Sequence, residues 1–551
     1  MYITEVLTKS KTGKISHRCI LLRESYRDEN KKNKNRTIAN ITHCSNAEIE
    51  AIKLALKYKN DIEMLKSIIN NAGIKQGISF GAVWLCSQIA NQIGITKALG
   101  NSLQGKLALW QIISRVLSQA SCLKAVRLAE RHAACDILEI KEPFNEDHLY
   151  ENLDWISENQ EIIENNLFNY RFKNKSLSLF LYDVTSSYME GTKNELSDWG
   201  YNRDKKKGKK QVVIGLLCDD EGYPVSIEVF KGNTNDTATF SNQIEKAVNR
   251  FKCKFVTFVG DRGMIKSAQI KQIEKENYLY ITAITKVQVE TLLKNNIIQM
   301  ELFDKNICEV INDGVRFVFR KNSYRADEIK QSRENKKSFI EKLCIQKTEY
   351  LKNHPKAKED KAKQYIQSKI NKLKISDWLN IERNEKVFTV KVDEEKLAEE
   401  SKLDGCYVIK SNLPELIDKQ IIHDRYKDLS KVELAFKVSK TEYLEMRPWY
   451  VRKEERTRGR SLVIMMSYMI IKKLKECWKD IDLTVKEGIE ELKSLSINEL
   501  VLEDGSSINL IPKPNKISEI LLKKANVTLP KLIPNLKVKV VSRKKLQKSR
   551  K

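Results

Sequence analysis

The sequence predicts an α/β fold with one mixed β-sheet at its centre, and three features of residues 171–285 predict it. The first is a strand whose side chains alternate, the second is a hairpin that follows it, and the third is a pair of helix and strand units. The predicted elements are strands at 177–185, 211–218 and 223–231, a helix ending near 250, a strand at 255–259, a helix from 267 and a strand at 278–285. Such an order builds one mixed sheet with helices on both faces.

Two regions precede the sheet. Residues 1–75 predict a small α+β head, because short strands are interrupted by the basic stretch DENKKNKNR and are followed by helical spacing at 46–70. Residues 76–170 have apolar residues three and four positions apart, which is typical of a helical domain. A helical pair in this domain could enter a DNA groove or could serve only for packing, and the sequence leaves both interpretations open.

Three regions follow the sheet. The pattern changes to short strands around a Lys/Glu-rich helical stretch, then to two apolar-faced helices, and then to a basic end, RKKLQKSRK, that is expected to be disordered. The predicted regions are an insertion domain at 286–418, C-terminal helices at 419–485 and a basic C-terminal tail at 486–551. Three adjacent strands followed by alternating helices and strands are the order of an RNase H-like core, split here by the insertion.

The net charge favours a polyanionic partner. The 551 residues contain 99 Lys and Arg against 73 Asp and Glu, which gives a formal charge of +26 and a pI near 9.4. Such an excess suits double-stranded DNA or another nucleic acid. The chain is also rich in Asn, Ile and Lys, a bias that an AT-rich genome produces without selection for DNA binding.

Cysteine spacing and hydropathy exclude several classes of protein. The 11 cysteines are scattered without a CxxC pair, so neither a disulfide framework nor a zinc site is indicated, and a reducing cytoplasm fits. The N-terminus has no apolar signal region, and the most apolar run, 462–471, is about half as long as a bilayer requires. No export and no membrane insertion are expected.

The segment LYDVTSSYMEG places an aspartate on an apolar strand face. Alternation puts Leu177, Leu179, Leu181 and Asp183 on one side of the strand. Burying an unpaired carboxylate costs several kcal/mol unless it is paired, hydrogen-bonded or bound to a cation. Asp183 taken alone is also consistent with a cap of the following turn.

Two further carboxylates are candidate partners. Asp261 ends the strand in FVTFVGDRGM, between glycines that permit a tight turn, although it could form only a local salt bridge with Arg262. Glu433 lies on a helix whose stripe of residues three and four apart also carries Tyr426 and Lys440. That helix could instead be an amphipathic helix with charges at the edge of its apolar stripe.

Three carboxylates in one place repel one another unless divalent cations neutralise them. Oxygen ligands suit Mg²⁺, with Mn²⁺ as a substitute, and two such ions about 3.5–4 Å apart can stabilise the attacking and leaving oxygens of a phosphodiester. The sequence therefore predicts that Asp183, Asp261 and Glu433 are both catalytic and metal-binding.

The same residues carry a family resemblance. In order along the chain, the motifs are LYDVTSSYMEG, GYNRDKKKGKKQVVIGLLCDDEGYPVSIEVFKGNTNDTATF, VGDRGM, YKDLSKVELAFKVSK and RPWYVRKEERTRGR. With these motifs the chain resembles insertion-sequence DDE transposases of the type-four superfamily, in the long branch that begins with a strand-rich head. The resemblance extends over about residues 2–485.

The resemblance implies a Mg²⁺-dependent enzyme with endonuclease and strand-transfer activities. It implies cutting at the terminal inverted repeats of the element, followed by attack of the freed 3′-hydroxyl on target DNA. It also implies a homodimer or a higher assembly on DNA, in the nucleoid-associated cytoplasm of a prokaryote.

The resemblance also implies DNA contacts. Tyr426 and Lys440 match a family signature of Tyr, Arg, Glu and Lys in which Tyr and Lys contact phosphate near the cut. The additional expected phosphate contacts are Arg203, Lys205, Arg447 and Arg452, although Arg203 and Lys205 could equally belong to a solvated loop.

Three positions depart from the family pattern. Leu429 replaces the signature arginine, so a neighbour such as Lys427 or Lys431 would have to supply that contact, and Val451 and Arg460 stand where relatives tend to carry histidines. The alternatives are therefore a catalytically impaired DNA-binding relative and a non-mobile RNase H-like nuclease.

Overall fold

The structure is a computed structural model. It describes residues 1–9, 15–29, 31–57, 59, 73–173, 177–304, 306–441, 444–501, 507–534 and 536–543. The chain divides into two compact units, and each of them draws on distant parts of the sequence. The first unit comprises Met1–Phe80, Ser494–Pro514 and Pro530–Asn535, and the second comprises Gly81–Lys493, Asn515–Leu529 and Leu536–Lys551.

The first unit contains two three-stranded antiparallel sheets. Strands Tyr2–Lys9, Ile15–Arg27 and Asn33–Asn40 form one sheet, followed by the helix Asn46–Lys57. Ile20, Ile41 and Ile49 form the small buried core between this sheet and the helix. In the second sheet, strand Ser496–Val501 pairs with both Gly73–Ser79 and Ser507–Leu510.

The N-terminal part of the second unit is helical. Its helices are Gly81–Gln92, Ile95–Leu99, Leu103–Ser118, Cys122–Ala129, Ala134–Leu138, Glu146–Glu158 and Gln160–Arg171. Three of them, Gly81–Gln92, Leu103–Ser118 and Glu146–Glu158, contact the helix Glu454–Cys477, whose middle is almost entirely buried. Gly459 of that helix permits the close approach, because a Cβ atom there would lie 2.1 Å from the Leu153 carbonyl oxygen.

Eight strands of the second unit form one mixed sheet. Strand Thr257–Gly260 runs parallel to both Leu179–Tyr188 and Leu279–Ala283, and the remaining pairs are antiparallel. Across the sheet the order is Cys308–Asn312, Val315–Lys321, Cys406–Ser411, Leu279–Ala283, Thr257–Gly260, Leu179–Tyr188, Gln211–Cys218 and Pro224–Phe230. The predicted α/β fold with an RNase H-like mixed sheet is confirmed.

Helices cover both faces of this sheet. Helices Asp236–Glu245 and Ser267–Lys275 pack on the face that carries Phe180 and Tyr182, with a five-residue π-helical turn, Lys246–Arg250, after the first of them. The opposite face of strand Leu179–Tyr188 carries Asp183 and is contacted by a later helix. The helices that return to the core are Lys419–Lys427, Leu429–Lys440 and Glu454–Cys477.

The predicted insertion at 286–418 consists of two parts in the structure. One part extends the central sheet, because Ile409 of the last strand pairs with Ala283 of the core. The other has its own core around Trp378, Ile340 and Ile366. The elements of the region are helix Lys286–Lys294, 3₁₀ helix Met300–Asp304, helices Ser323–Asn353, Glu359–Leu373 and Glu394–Ser401, and hairpin strands Leu379–Asn384 and Val387–Val392, besides the three sheet strands.

The structure corrects the predicted disordered tail at 486–551. Helices Val485–Lys493 and Lys516–Lys524 belong to the second unit, and two strands belong to the first. Leu521 is buried, and its carbonyl oxygen accepts a hydrogen bond from Trp478 Nε1 at 3.0 Å. These apolar contacts order a segment whose charge alone suggests a tail. Most of RKKLQKSRK, from 544 onward, lies outside the described residues.

In the part of the chain that the structure describes, none of the helices combines the length and apolar character needed to cross a membrane.

Candidate active site

The three predicted carboxylates line one cleft of about 800 Å³ in the second unit. Asp183 lies on strand Leu179–Tyr188, and Asp261 directly follows the parallel neighbour of that strand. The register pairs Tyr182 with Gly260, so both aspartates directly follow the last parallel pair, Asp183 in the middle of its longer strand and Asp261 just after the end of its own. Glu433 comes from helix Leu429–Lys440, which contacts the Asp183 strand.

Asp183 is a strongly desolvated carboxylate. Burial raises its pKa to about 7, and the charges of Glu433 and Asp261 act in the same direction. Two groups oppose the rise in pKa: the Val184 N–H, which donates to Asp183 Oδ1 at 2.7 Å, and the Arg203 guanidinium. Burial thus outweighs the stabilising contacts, and a cation at this position would favour the ionised form.

Asp261 is exposed and is held by its own turn. The Arg262 N–H donates to Asp261 Oδ1 at 2.7 Å, and the Met264 N–H donates to the Asp261 carbonyl at 2.9 Å. The contact with Arg262 is therefore made by its backbone. The Tyr426 hydroxyl lies 3.5 Å from Asp261 Oδ1, and burial together with the Asp261 charge raises the Tyr426 pKa.

Glu433 is exposed on the cleft side of its helix. Within the described ranges, no group of three or more His, Cys, Asp or Glu side chains is arranged so that it could hold a metal ion. The three carboxylates therefore share a cleft without forming a closed cage. Mg²⁺ is usually bound through one or two carboxylates together with water and substrate phosphates, so an open arrangement of oxygen donors still suits it.

Lys440 does not line this cleft. Its Nζ donates to Thr185 Oγ1 at 2.7 Å and to Asp204 Oδ1 at 3.0 Å, and it also donates to the Ser186 carbonyl. The Lys440 side chain is 10% exposed and that of Asp204 is 2% exposed. Burial lowers the pKa of Lys440 although Asp204 acts in the opposite direction. Lys440 therefore anchors the loop that contains Asp204, and its ammonium group is already satisfied within the protein.

Two family models match the chain. The transposase DDE domain matches residues 174–470, and the N-terminal domain of IS1634 family transposases matches residues 6–64. The first match covers more than half of the sequence, including all three carboxylates. The chain belongs to the DDE transposase family. It is a DNA transposase of the insertion-sequence type.

Solved structures give only distant likenesses to this transposase. The piggyBac transposase synaptic complex with hairpin DNA is 9% identical, with a TM-score of 0.34, over 81% of this chain and 75% of that chain. The Mos1 transposase paired-end complex with left transposon end is 12% identical, with a TM-score of 0.14, over 26% of this chain and 51% of that chain. No curated protein matches the transposase.

The other predicted DNA contacts of the transposase fall in different places. Arg203 lines the cleft and donates to Asp236 Oδ2 at 2.7 Å, while Lys205 is exposed on the same loop. Arg447 pairs with the buried Asp204 carboxylate. Arg452 is exposed and lines a second cavity, away from the three carboxylates.

The positions that depart from the family pattern separate into two sites. Leu429 and Lys427 line the acidic cleft, whereas Lys431 donates to the Asp220 carbonyl at 2.6 Å and pairs with Asp428 at 2.9 Å. Of the two lysines, Lys427 is thus the one that shares the cleft with Leu429. Val451 and Arg460 line the second cavity, so they have no direct place among the carboxylates of the transposase.

Two further carboxylates, which the sequence pattern does not single out, belong to the cleft and its neighbouring loop. Asp236 lines the cleft and pairs with Arg203. Asp204 went unnoticed within the basic run RDKKKGKK, although a single acid among so many cations is a recognisable signal for an internal ion pair. Asp236 thus pairs with Arg203, and Asp204 pairs with Lys440.

Proposed function

We propose that this transposase cuts DNA at the terminal inverted repeats of its insertion sequence and joins the 3′ ends to target DNA by two-metal-ion phosphoryl transfer. The observation that carries the proposal is the cleft in which Asp183, Asp261 and Glu433 meet, each supplied by a different element. The raised pKa of Asp183 supports a metal-binding role, because desolvation disfavours its charge until a cation is near.

The three carboxylates would hold two Mg²⁺ ions, or Mn²⁺ in their place. When bound, the ions would lower the pKa of water and neutralise charge on the reacting phosphate. Asp183 and Asp261 would supply oxygen donors from the rigid sheet, and Glu433 would supply one from the helix across the cleft. Tyr426, close to Asp261, would orient DNA phosphate at the cleft wall, and Lys427 would contribute positive charge there.

We also propose that the protein binds double-stranded DNA, both element ends and target, as a homodimer or a larger assembly. The formal charge of +26 supports phosphate binding, which supplies most of the affinity of such proteins. The basic loop, which contains RDKKKGKK, supplies two proposed DNA contacts, Arg203 at the cleft and the exposed Lys205. Lys440 and Arg447 would act by positioning this loop through Asp204.

The decisive experiment measures nicking of DNA that carries the natural flanks of the gene, with Mg²⁺ and with EDTA. We expect cleavage at the element end only with Mg²⁺, and we expect Asp183→Asn to abolish it while salt-sensitive DNA binding persists, because phosphate contacts dominate affinity. Asp313→Asn is the matched control, since Asp313 lies at an exposed turn outside the cleft. Undiminished cleavage by the Asp183 variant would remove Asp183 from the active site.

The gene's flanks test the first alternative, a non-mobile nuclease, and DNA cleavage tests the second, a catalytically impaired relative. Short inverted repeats bordered by a target duplication favour a mobile element, and their lack favours a non-mobile RNase H-like nuclease. A catalytically impaired relative would bind the flanking DNA with the expected salt dependence and would not cut it in Mg²⁺ or Mn²⁺.

A further inference from the structure

A second cavity of about 560 Å³ lies in the same compact unit as the cleft of the three carboxylates, and most of the charged side chains that line it are cationic. Its walls come from helices Leu103–Ser118, Cys122–Ala129, Glu146–Glu158 and Glu454–Cys477, and from the loop that leads into the last of these. Five cationic side chains line it: Arg115, Arg452, Lys453, Arg456 and Arg460. Among the described lining residues, Glu445 is the one carboxylate.

Arg115 is a buried guanidinium with an unsatisfied donor. The residue is 4% exposed, and its Nη1 donates to the Leu444 carbonyl at 2.9 Å. Its Nε is buried and has no hydrogen-bond partner within the described part of the chain. Burial, followed by the nearby charge of Arg460, lowers the pKa of Arg115 to about 9. The group therefore still carries its charge at neutral pH.

Arg460, on helix Glu454–Cys477, is a half-buried arginine with an unsatisfied donor of the same kind. Its guanidinium carbon lies 5.3 Å from the centre of the Trp449 ring, and its Nε is also buried without a partner among the residues that the structure places. Burial lowers its pKa as well. Arg456 differs from these two, because Asp154 accepts from its Nε at 3.1 Å.

The carboxylate in the wall compensates these arginines only from a distance. The Glu445 charge raises the pKa of both Arg115 and Arg460, but burial outweighs it in each case, and Glu445 itself is exposed. A buried charge without a counter-charge is unfavourable, and an unmade hydrogen bond to a charged group adds to the cost. Two such guanidinium groups facing one cavity are explained if an anion occupies it.

We propose that this cavity is a phosphate-binding site. Guanidinium groups match the oxygens of a phosphate with paired hydrogen bonds, and the excess of cations favours a ligand with more than one negative charge. The volume falls within the range of ordinary small-ligand pockets. Exposed Arg452 and Lys453 extend the positive charge to the mouth, where Tyr450 is 65% exposed and offers a ring for stacking.

The phosphate group could belong to a free nucleotide or to a DNA strand that crosses the mouth. The proposal does not depend on the acidic cleft, because none of the three carboxylates lines this cavity. It also gives a role to Arg460, which departs from the family pattern and which the cleft leaves unexplained. An arginine at this position supplies charge for an anion at neutral pH, which a neutral histidine does not.

The test uses inorganic pyrophosphate and the full-length protein in isothermal titration calorimetry, with EDTA present so that no metal-bound pyrophosphate enters the cleft. We expect one saturable site per chain. Arg460→Gln should weaken binding by about tenfold or more, as expected for loss of a charged hydrogen bond, and Arg460→Lys should weaken it less. Arg131→Gln removes a charge from an exposed residue that does not line the cavity, and it should leave affinity within about twofold.

Arg452→Gln is a second variant, in case Arg460→Gln does not fold. Arg452 is exposed at the mouth of the cavity, so its substitution should preserve the fold and still weaken pyrophosphate binding. No saturable binding by the unmodified protein would overturn the proposal. Pyrophosphate affinity that is the same in Arg460→Gln and Arg452→Gln as in the unmodified protein would also overturn it. Tighter binding of citrate than of pyrophosphate would show that the cavity takes carboxylates and would also contradict a phosphate site.

Two further ligands distinguish the source of the phosphate. If it is a DNA strand, a single-stranded oligonucleotide displaces pyrophosphate, and Arg460→Gln lowers oligonucleotide affinity more than Arg131→Gln does. If it is a free nucleotide, a nucleoside diphosphate binds more tightly than pyrophosphate, and the two variants bind the oligonucleotide equally. Failure of this site leaves the proposed cleavage chemistry untouched, because nicking is tested separately through Asp183.

Discussion

Replacing Asp183 with Asn should stabilise the metal-free protein at neutral and alkaline pH. Burial raises the pKa of Asp183 from an ordinary 3.8 to about 7. The folded state therefore favours the protonated carboxyl, and the free energy of unfolding falls as pH rises from about 4 to about 7. One pKa unit corresponds to about 1.4 kcal/mol, so the ionised carboxylate destabilises the fold by up to about 4 kcal/mol at pH 8. Asn cannot ionise and escapes this cost.

The assay is thermal and urea unfolding in EDTA, followed from pH 5 to pH 8, for the unmodified protein, Asp183→Asn and the control Asp313→Asn. The advantage of Asp183→Asn should grow with pH and level off above about pH 7, while the control should track the unmodified protein. Mg²⁺ should then stabilise the unmodified protein more than Asp183→Asn, because it binds the ionised carboxylate. A stability difference that stays constant across this pH range would refute the desolvation argument.

Three other substitutions test separate parts of the structure. Lys440→Met should lower the free energy of unfolding by up to about 3 kcal/mol by leaving Asp204 short of a buried partner, and adding Asp204→Asn should recover part of the loss in urea titrations. Leu429→Arg adds a cation to the cleft wall and should steepen the salt dependence of DNA binding by about one phosphate contact; an unchanged slope would contradict that position. Gly459→Ala should lower the thermal midpoint, with a cost of about 1–3 kcal/mol, because its Cβ would lie 2.1 Å from the Leu153 carbonyl; an unchanged midpoint would show that the helices can separate.

Local pattern was enough to predict the central strands. Strand Gln211–Cys218 is buried along its whole length, so the apolar run in the sequence begins and ends where the strand does. The C-terminal region could not be predicted in this way, because strand Ser496–Val501 finds its partner in Gly73–Ser79, more than 400 positions earlier. A basic composition looks the same in a free tail and in a strand with a distant partner, and only the tertiary contact separates the two.

That Asp183 and Asp261 line the same cleft was also predictable, since the parallel pairing of their strands aligns Tyr182 with Gly260. What the register cannot supply is the spacing across the cleft, which depends on how the Glu433 helix packs. The contact that Lys440 makes within the protein could not be predicted for a related reason. Helical periodicity indicates the direction in which a side chain projects, but the partner that it meets, Asp204, comes from a loop without periodicity.

Asp204 connects three parts of the site, and this changes how mutations there should be understood. Its carboxylate accepts from the Tyr188 N–H at 3.1 Å and pairs with both Lys440 and Arg447. The end of the Asp183 strand, the Glu433 helix and the segment leading to the second cavity are therefore fixed to one buried charge. If a Lys440 substitution abolishes cleavage, we therefore expect the cause to be displacement of the Asp204 loop and of Glu433. The double substitution with Asp204 tests this cause. Restored stability with cleavage still equally impaired would contradict it.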